Sequence, residues 1–189
     1  MTLANRLTLS RMAVIPVMVL VKEVPFPGAS DTVLGIGVAD GLFALLFVLA
    51  ALTDLLDGHI ARSRNQITTF GKFLDPLADK ILVVTALLYL MADMPSRVPA
   101  FAVLIVIARE FVVTGIRLLA MGEGKVIAAS KLGKAKTAAT MAAITIMLFG
   151  DFGMPEMIGN VVFIAAVVLT VWSGIDYFLK NRTIIFQSV

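Results

Sequence analysis

Apolar residues run along this chain in long, nearly unbroken windows, and charged residues gather in the gaps between them. A helix needs about 20 mostly apolar residues to cross a bilayer. Windows near that length fall at residues 7–21, 37–57, 72–92, 98–119, 134–150 and 157–179. The pattern predicts an all-α, polytopic integral membrane protein with about six transmembrane helices. The first window is short and interrupted by Arg11 and Pro16, so it is expected to begin as an N-terminal interfacial segment carrying Arg6 and Arg11. It lacks a small-residue cleavage site and is followed by further spans, which argues against a cleaved signal peptide. No repeat, low-complexity tract or linker divides residues 1–189, and the chain reads as a single domain.

Composition agrees with the windows. Hydrophobic residues make up 59% of the chain and mean hydropathy is +0.97, whereas soluble chains carry about 45–50% apolar residues. The sixteen Lys and Arg residues set an orientation. With six spans and the N-terminus inside, Arg6, Arg11, Arg62, Arg64, Lys72, Lys80, Arg117, Lys125, Lys131, Lys134, Lys136, Lys180 and Arg182 lie on or near the cytoplasmic face, Lys22 and Arg97 lie outside, and Arg109 is left within the fourth span. This distribution follows topology and forms no nucleic-acid stripe, so anionic membrane lipids are the expected partner of the basic face and nucleic acid is not. The absence of cysteine leaves no disulfide or thiol chemistry to consider. Trp172, Tyr177 and Phe178, with Lys180 and Arg182, read as an interfacial anchor at the end of the last span.

Against this apolar background, four carboxylates are costly to keep. Asp54, Asp57, Gly58 and Ala61 share one helical stripe, and Gly71, Asp75 and Asp79 share another. Two such helices facing each other would gather all four aspartates. Two bare carboxylates 4 Å apart repel by roughly 4 kcal/mol at an effective dielectric near 20, so the cluster points to bound cations. The donors are all oxygen and the only histidine, His59, lies on the helix flank, which favours Mg²⁺ or Mn²⁺ over zinc. Two ions per site would suit four ligands and phosphoryl chemistry. Gly58, Ala61 and Gly71 leave open backbone for a bulky diphosphate, and Arg62 stands one turn on for a phosphate oxygen. Small residues also let membrane helices pack closely, and both readings stand for the glycines alone.

A second basic set lies further along. Arg109, Val113 and Arg117 form an i, i+4, i+8 row, and Lys131, Lys134 and Lys136 open the next span. Both guanidiniums can face the bundle interior and meet a phosphate that Lys134 also reaches, which suits an alcohol carrying its own phosphate. The competing readings are positive-inside topology for the lysines and an internal ion pair with Glu110 for Arg109.

The two aspartate stretches together read D-x-x-D-G-x-x-A-R, eight residues, then G-x-x-x-D-x-x-x-D. This resembles the signature of the CDP-alcohol phosphotransferases, and every element is present. The stretches Asn5–Arg11, Arg109–Arg117 and Ser130–Thr137 look like the branch of that family whose acceptor is glycerol 3-phosphate. The resemblance implies transfer of a phosphatidyl group from CDP-diacylglycerol to glycerol 3-phosphate with release of CMP, in a bacterial plasma membrane, with the site facing the cytoplasm. It implies that Asp54, Asp57, Asp75 and Asp79 hold the metals, and that Asp79 also takes the proton of the attacking alcohol. It further implies that Asn5 and Thr8 cradle the nucleotide, although either could instead cap the first helix. A homodimer is implied as well, in keeping with small-residue and Met-rich faces. Other acceptors of the same family, such as inositol phosphate, serine or phosphatidylglycerol, are the alternatives. From another class, the rival is a metal or ion transporter; it expects acids near mid-membrane, whereas these lie toward span ends beside Arg62.

Overall fold

The computed structural model describes residues 3–33, 35–64, 69–122, 127 and 130–187, with the side chains of 3–7, 54–64, 69–73, 75, 76 and 183–187 outside that description. Among the described residues the chain is mostly helical: α1 (Leu3–Glu23), α2 (Val38–Arg64), α3 (Thr69–Asp93), α4 (Ala100–Gly122), α5 (Lys131–Leu148) and α6 (Met157–Gln187). The six apolar windows fall on these six helices in order. By length and composition, one stretch among the described residues, Met157–Arg182, qualifies as a membrane span, with a mean hydropathy of 2.1, and Val38–Thr53 forms a shorter apolar helix. The chain divides into two compact units, Met1–Tyr89 with Thr145–Pro155, and Leu90–Ile144 with Glu156–Val189.

In the first unit, α1 buries Thr8, Arg11, Ile15 and Met18, a stripe at spacings of three and four. This face packs along α2, where Phe43, Ala44, Phe47 and Ala50 are buried in turn. From α3, Ala78, Leu82, Ala86 and Leu87 complete the apolar interior. The helices are tied at one end by polar groups. Lys22 Nζ donates to Asp40 Oδ1 at 2.5 Å, and Tyr89 Oη donates to Glu23 Oε1 at 2.7 Å while its ring meets Phe43 edge-on at 5.0 Å. Between α1 and α2, β1 (Thr32–Val33) and β2 (Ile36–Gly37) form a minimal antiparallel hairpin. Its turn needs the left-handed φ of +80° at Gly35, which costs glycine little.

The second unit is organised on α4 packed against α6. Ala102, Val103, Val106, Val113, Ile116 and Ala120 are buried on α4; Phe163, Ala166, Thr170, Ser173 and Tyr177 are buried on α6, again at spacings of three and four. Small and hydroxylated residues in the α6 stripe keep their polar atoms bonded within the helix, as Thr170 Oγ1 does to Ala166 O at 2.7 Å. Arg97 pins the start of α6, donating to Asn160 Oδ1 at 2.7 Å and to Glu156 O at 3.2 Å. The outward faces are no less apolar: Phe101, Leu104, Phe111 and Leu118 on α4, and Val161, Ile164, Val168, Trp172 and Ile175 on α6, are exposed. Of these two helices, α6 is the one long and apolar enough to cross a membrane among the described residues.

Candidate active site

Positions 54, 57, 58 and 61 recur at helical spacing on α2, and 71, 75 and 79 do so on α3. Of these residues, the described side chain is that of Asp79. Asn5, Asp54, Asp57, Gly58, Ala61, Arg62, Gly71 and Asp75 have backbones within α1, α2 or α3 and side chains outside the described set. Among the described residues no group of three or more His, Cys, Asp or Glu is placed to hold a metal ion.

Asp79 has a partner that sequence reading did not assign. Arg11 Nη1 donates to Asp79 Oδ1 at 2.7 Å, with the arginine side chain 1% exposed and the carboxylate 43% exposed. A charged guanidinium is rarely buried unless paired, and the pair joins α1 to α3 at the last aspartate of the signature. On the segment that the sequence reads as interfacial, Arg11 lies on the buried stripe of α1, because positions 8, 11, 15 and 18 share one face and the helix continues through Pro16. The same stripe holds Thr8, 2% exposed. Asn5 and Thr8 both lie inside α1, so neither caps it.

In the second unit the basic residues separate into two groups. Lys131 and Lys134 are exposed on α5, while Lys136 is 4% exposed and belongs to the inward stripe with Thr140. Lys136 Nζ donates to Glu110 Oε1. Arg109 Nη1 donates to the same oxygen at 3.0 Å, and Arg109 Nη2 donates to Ser173 Oγ at 3.2 Å. Neighbours on a helix do not ordinarily face one another, but the long arginine stem folds back far enough to meet Glu110. Glycine makes the room on α6: a Cβ at Gly174 would stand 3.1 Å from Arg109 Cγ. Two turns along α4, Arg117 Nε lies 3.4 Å from Tyr177 Oη, with the guanidinium carbon 5.9 Å from the ring centroid. The row expected on α4 therefore has Val113 buried at its centre and both arginines turned toward α6, at Ser173 and Tyr177.

Tyr177 is 3% exposed. It was expected as an interfacial anchor with Trp172 and Phe178; those two are exposed, but Tyr177 packs inward with Val113 and Ile116. The reason is periodicity, since 177 continues the 163, 166, 170, 173 stripe. Ser173 and Tyr177 could have been found only from that stripe, because their partners on α4 are 64 and 60 residues away in sequence, whereas the Arg109–Glu110 pair is the ion pair the sequence offered as a competing reading.

The family model for CDP-alcohol phosphatidyltransferase matches residues 1–172. This chain belongs to the CDP-alcohol phosphatidyltransferase family. It is 42% identical over 185 residues to the CDP-diacylglycerol–glycerol-3-phosphate 3-phosphatidyltransferase of Bacillus subtilis (strain 168), covering 95% of this chain and 94% of that protein. Proteins of the same description from Rickettsia bellii (strain RML369-C), 38% identical over 93% of each chain, and Salmonella choleraesuis (strain SC-B67), 37% identical over 93% of this chain and 92% of that one, are similar along the same length. The chain is thus an enzyme, a CDP-alcohol phosphatidyltransferase of a membrane-associated family. The matched span takes in both aspartate stretches and the Arg109, Glu110 and Lys136 cluster.

Proposed function

We propose that this CDP-alcohol phosphatidyltransferase acts as a phosphatidylglycerophosphate synthase, moving the phosphatidyl group of CDP-diacylglycerol onto glycerol 3-phosphate and releasing CMP. The observation that carries the acceptor assignment is the pair of inward cations, Arg109 of α4 and Lys136 of α5, held on one carboxylate oxygen. A neutral alcohol would give them nothing to bind, whereas a phosphate monoester brings ~1.5 to 2 negative charges. The names of the relatives favour the same acceptor.

In this reading Asp54, Asp57, Asp75 and Asp79 hold two Mg²⁺ or Mn²⁺ ions, a hard-oxygen donor set that fits such ions and offers zinc no nitrogen or sulfur. When bound, the ions supply charge neutralisation to the diphosphate and to the departing CMP. Asn5 and Thr8 hold the cytidine, Gly58, Ala61 and Gly71 leave space beside α2 and α3 for the diphosphate, and Arg62 binds one of its oxygens. Arg109, Arg117 and Lys136 hold the acceptor phosphate, and Lys131 and Lys134 draw it in from the exposed face. The acceptor hydroxyl oxygen forms a bond to the phosphatidyl phosphorus, the bond from that phosphorus to the CMP oxygen breaks with its electron pair, and the hydroxyl proton passes to the Asp79 carboxylate. Arg11 fixes that carboxylate through Oδ1.

We read the six helices as six spans, with the aspartates toward the cytoplasmic ends of α2 and α3 in a bacterial plasma membrane. The apolar outward faces of α4 and α6 support this. The family model runs through both compact units, which supports one functional domain over 1–189. We further propose a homodimer, for which small-residue and Met-rich faces offer a close-packing surface.

The test is an acceptor panel with purified protein, CDP-diacylglycerol and labelled glycerol 3-phosphate, inositol phosphate, serine, glycerol or phosphatidylglycerol. Labelled lipid from glycerol 3-phosphate in clear preference to the rest supports the assignment. Preference for an unphosphorylated acceptor refutes the phosphate pocket.

A further inference from the structure

The assigned roles leave Glu110 without one, although it is the anion on which the inward cations converge. Its Oε1 accepts from both Arg109 Nη1 and Lys136 Nζ. A single oxygen bridging a guanidinium and an ammonium is the arrangement that a phosphate oxygen makes in a basic pocket. Two cations in an apolar bundle also need a counter-charge whenever no ligand is present. We infer that Glu110 is an internal stand-in for the acceptor phosphate: it occupies Arg109 and Lys136 in the empty enzyme, must yield them to the substrate, and so sets the affinity for phosphorylated acceptors. This rests on the acceptor reading above.

Two features suit a carboxylate that leaves rather than one that only braces the fold. The Glu110 side chain is 19% exposed against 5% for Lys136 and 12% for Arg109, so of the three it has the readiest way outward. Arg109 has its own support besides, from Ser173 through Nη2 and from the open face of Gly174 along its stem. Release of Glu110 therefore need not release the arginine. An incoming dianion would otherwise sit beside the carboxylate and be repelled by it. If the cations are free of Glu110 in about one molecule in ten, the apparent affinity for the acceptor is about tenfold weaker than the intrinsic one.

The experiment compares the full-length wild type with Glu110→Gln, which keeps the shape and removes the charge, and with Glu110→Asp, which keeps the charge on a shorter arm. The KM for glycerol 3-phosphate should fall about tenfold in the Gln variant and by a smaller factor in the Asp variant. The KM for CDP-diacylglycerol should not follow, and inorganic phosphate should become a correspondingly stronger competitor. An acceptor KM that is unchanged or higher, equal shifts for donor and acceptor, or failure of both variants to fold would overturn the inference and leave Glu110 a structural brace. Should the wild type show no dependence on glycerol 3-phosphate, the proposed function fails instead. The rise in unfolding temperature on adding inorganic phosphate then decides for Glu110: a larger rise in the Gln variant supports the stand-in, and an equal or smaller one refutes it.

Discussion

Replacing Arg11 by leucine removes the one described guanidinium that touches the signature carboxylate. The bond from Nη1 to Asp79 Oδ1 is 2.7 Å long, and its donor is 1% exposed. Severing a fully buried pair costs about 3–5 kcal/mol, because one charge is left stranded. Here the surviving partner is Asp79, 43% exposed and able to draw on water, so about 1–2 kcal/mol is the expected loss of stability, nearer the range of a charge-assisted hydrogen bond. The functional cost should be larger. Loss of this contact loosens the hold on the carboxylate's position, and misplacement of a catalytic group by about 1 Å costs about 100-fold in rate. We expect kcat for CMP release to fall by about that factor while the KM for glycerol 3-phosphate stays within about twofold, since the acceptor phosphate is held elsewhere. Arg11→Lys should recover part of the loss, because a single donor nitrogen makes the contact. The assay is CMP release by detergent-purified protein, with thermal unfolding measured alongside. Folded Arg11→Leu protein that turns over at the wild-type rate would refute the positioning role.

Asp79→Asn should abolish CMP release while retaining CDP-diacylglycerol binding, measured by fluorescent-lipid titration, since the amide cannot accept the proton. Arg117→Ala should raise the acceptor KM by about tenfold or more, as expected for loss of a charged phosphate contact, with little change for the donor lipid. Equal changes would mean that the two substrates are not divided as proposed. Gly174→Ala places a Cβ 3.1 Å from Arg109 Cγ. The stem must shift by a few tenths of an ångström, so we expect a folded enzyme with an acceptor KM raised about two- to fivefold, an effect of less than about 1 kcal/mol.

Much of this molecule is legible from local pattern. The six helices lie where the apolar windows are, because length and hydropathy are properties of contiguous residues. The i, i+4, i+8 row on α4 also places Arg109, Val113 and Arg117 on one inward-facing side. What the sequence does not carry is who meets whom across the helices. Arg11 reads as an interfacial charge until α3 supplies Asp79. Lys134 and Lys136 are interchangeable as members of a basic run, yet a rotation of 200° between them sends one outward and the other to Glu110. Tyr177 reads as an anchor beside Trp172 and is instead the inward neighbour of Arg117. Each of these depends on helix rotation, which is decided by partners far away in the chain.

The central claim is that turnover needs a metal held by the four aspartates together with an acceptor that carries a phosphate. It is tested most directly by CMP release from purified protein given CDP-diacylglycerol, with Mg²⁺ or Mn²⁺ and glycerol 3-phosphate each supplied or withheld. Release only when metal and glycerol 3-phosphate are both present is the predicted result. Release that persists after chelation, or that proceeds as well with glycerol as with glycerol 3-phosphate, would contradict it.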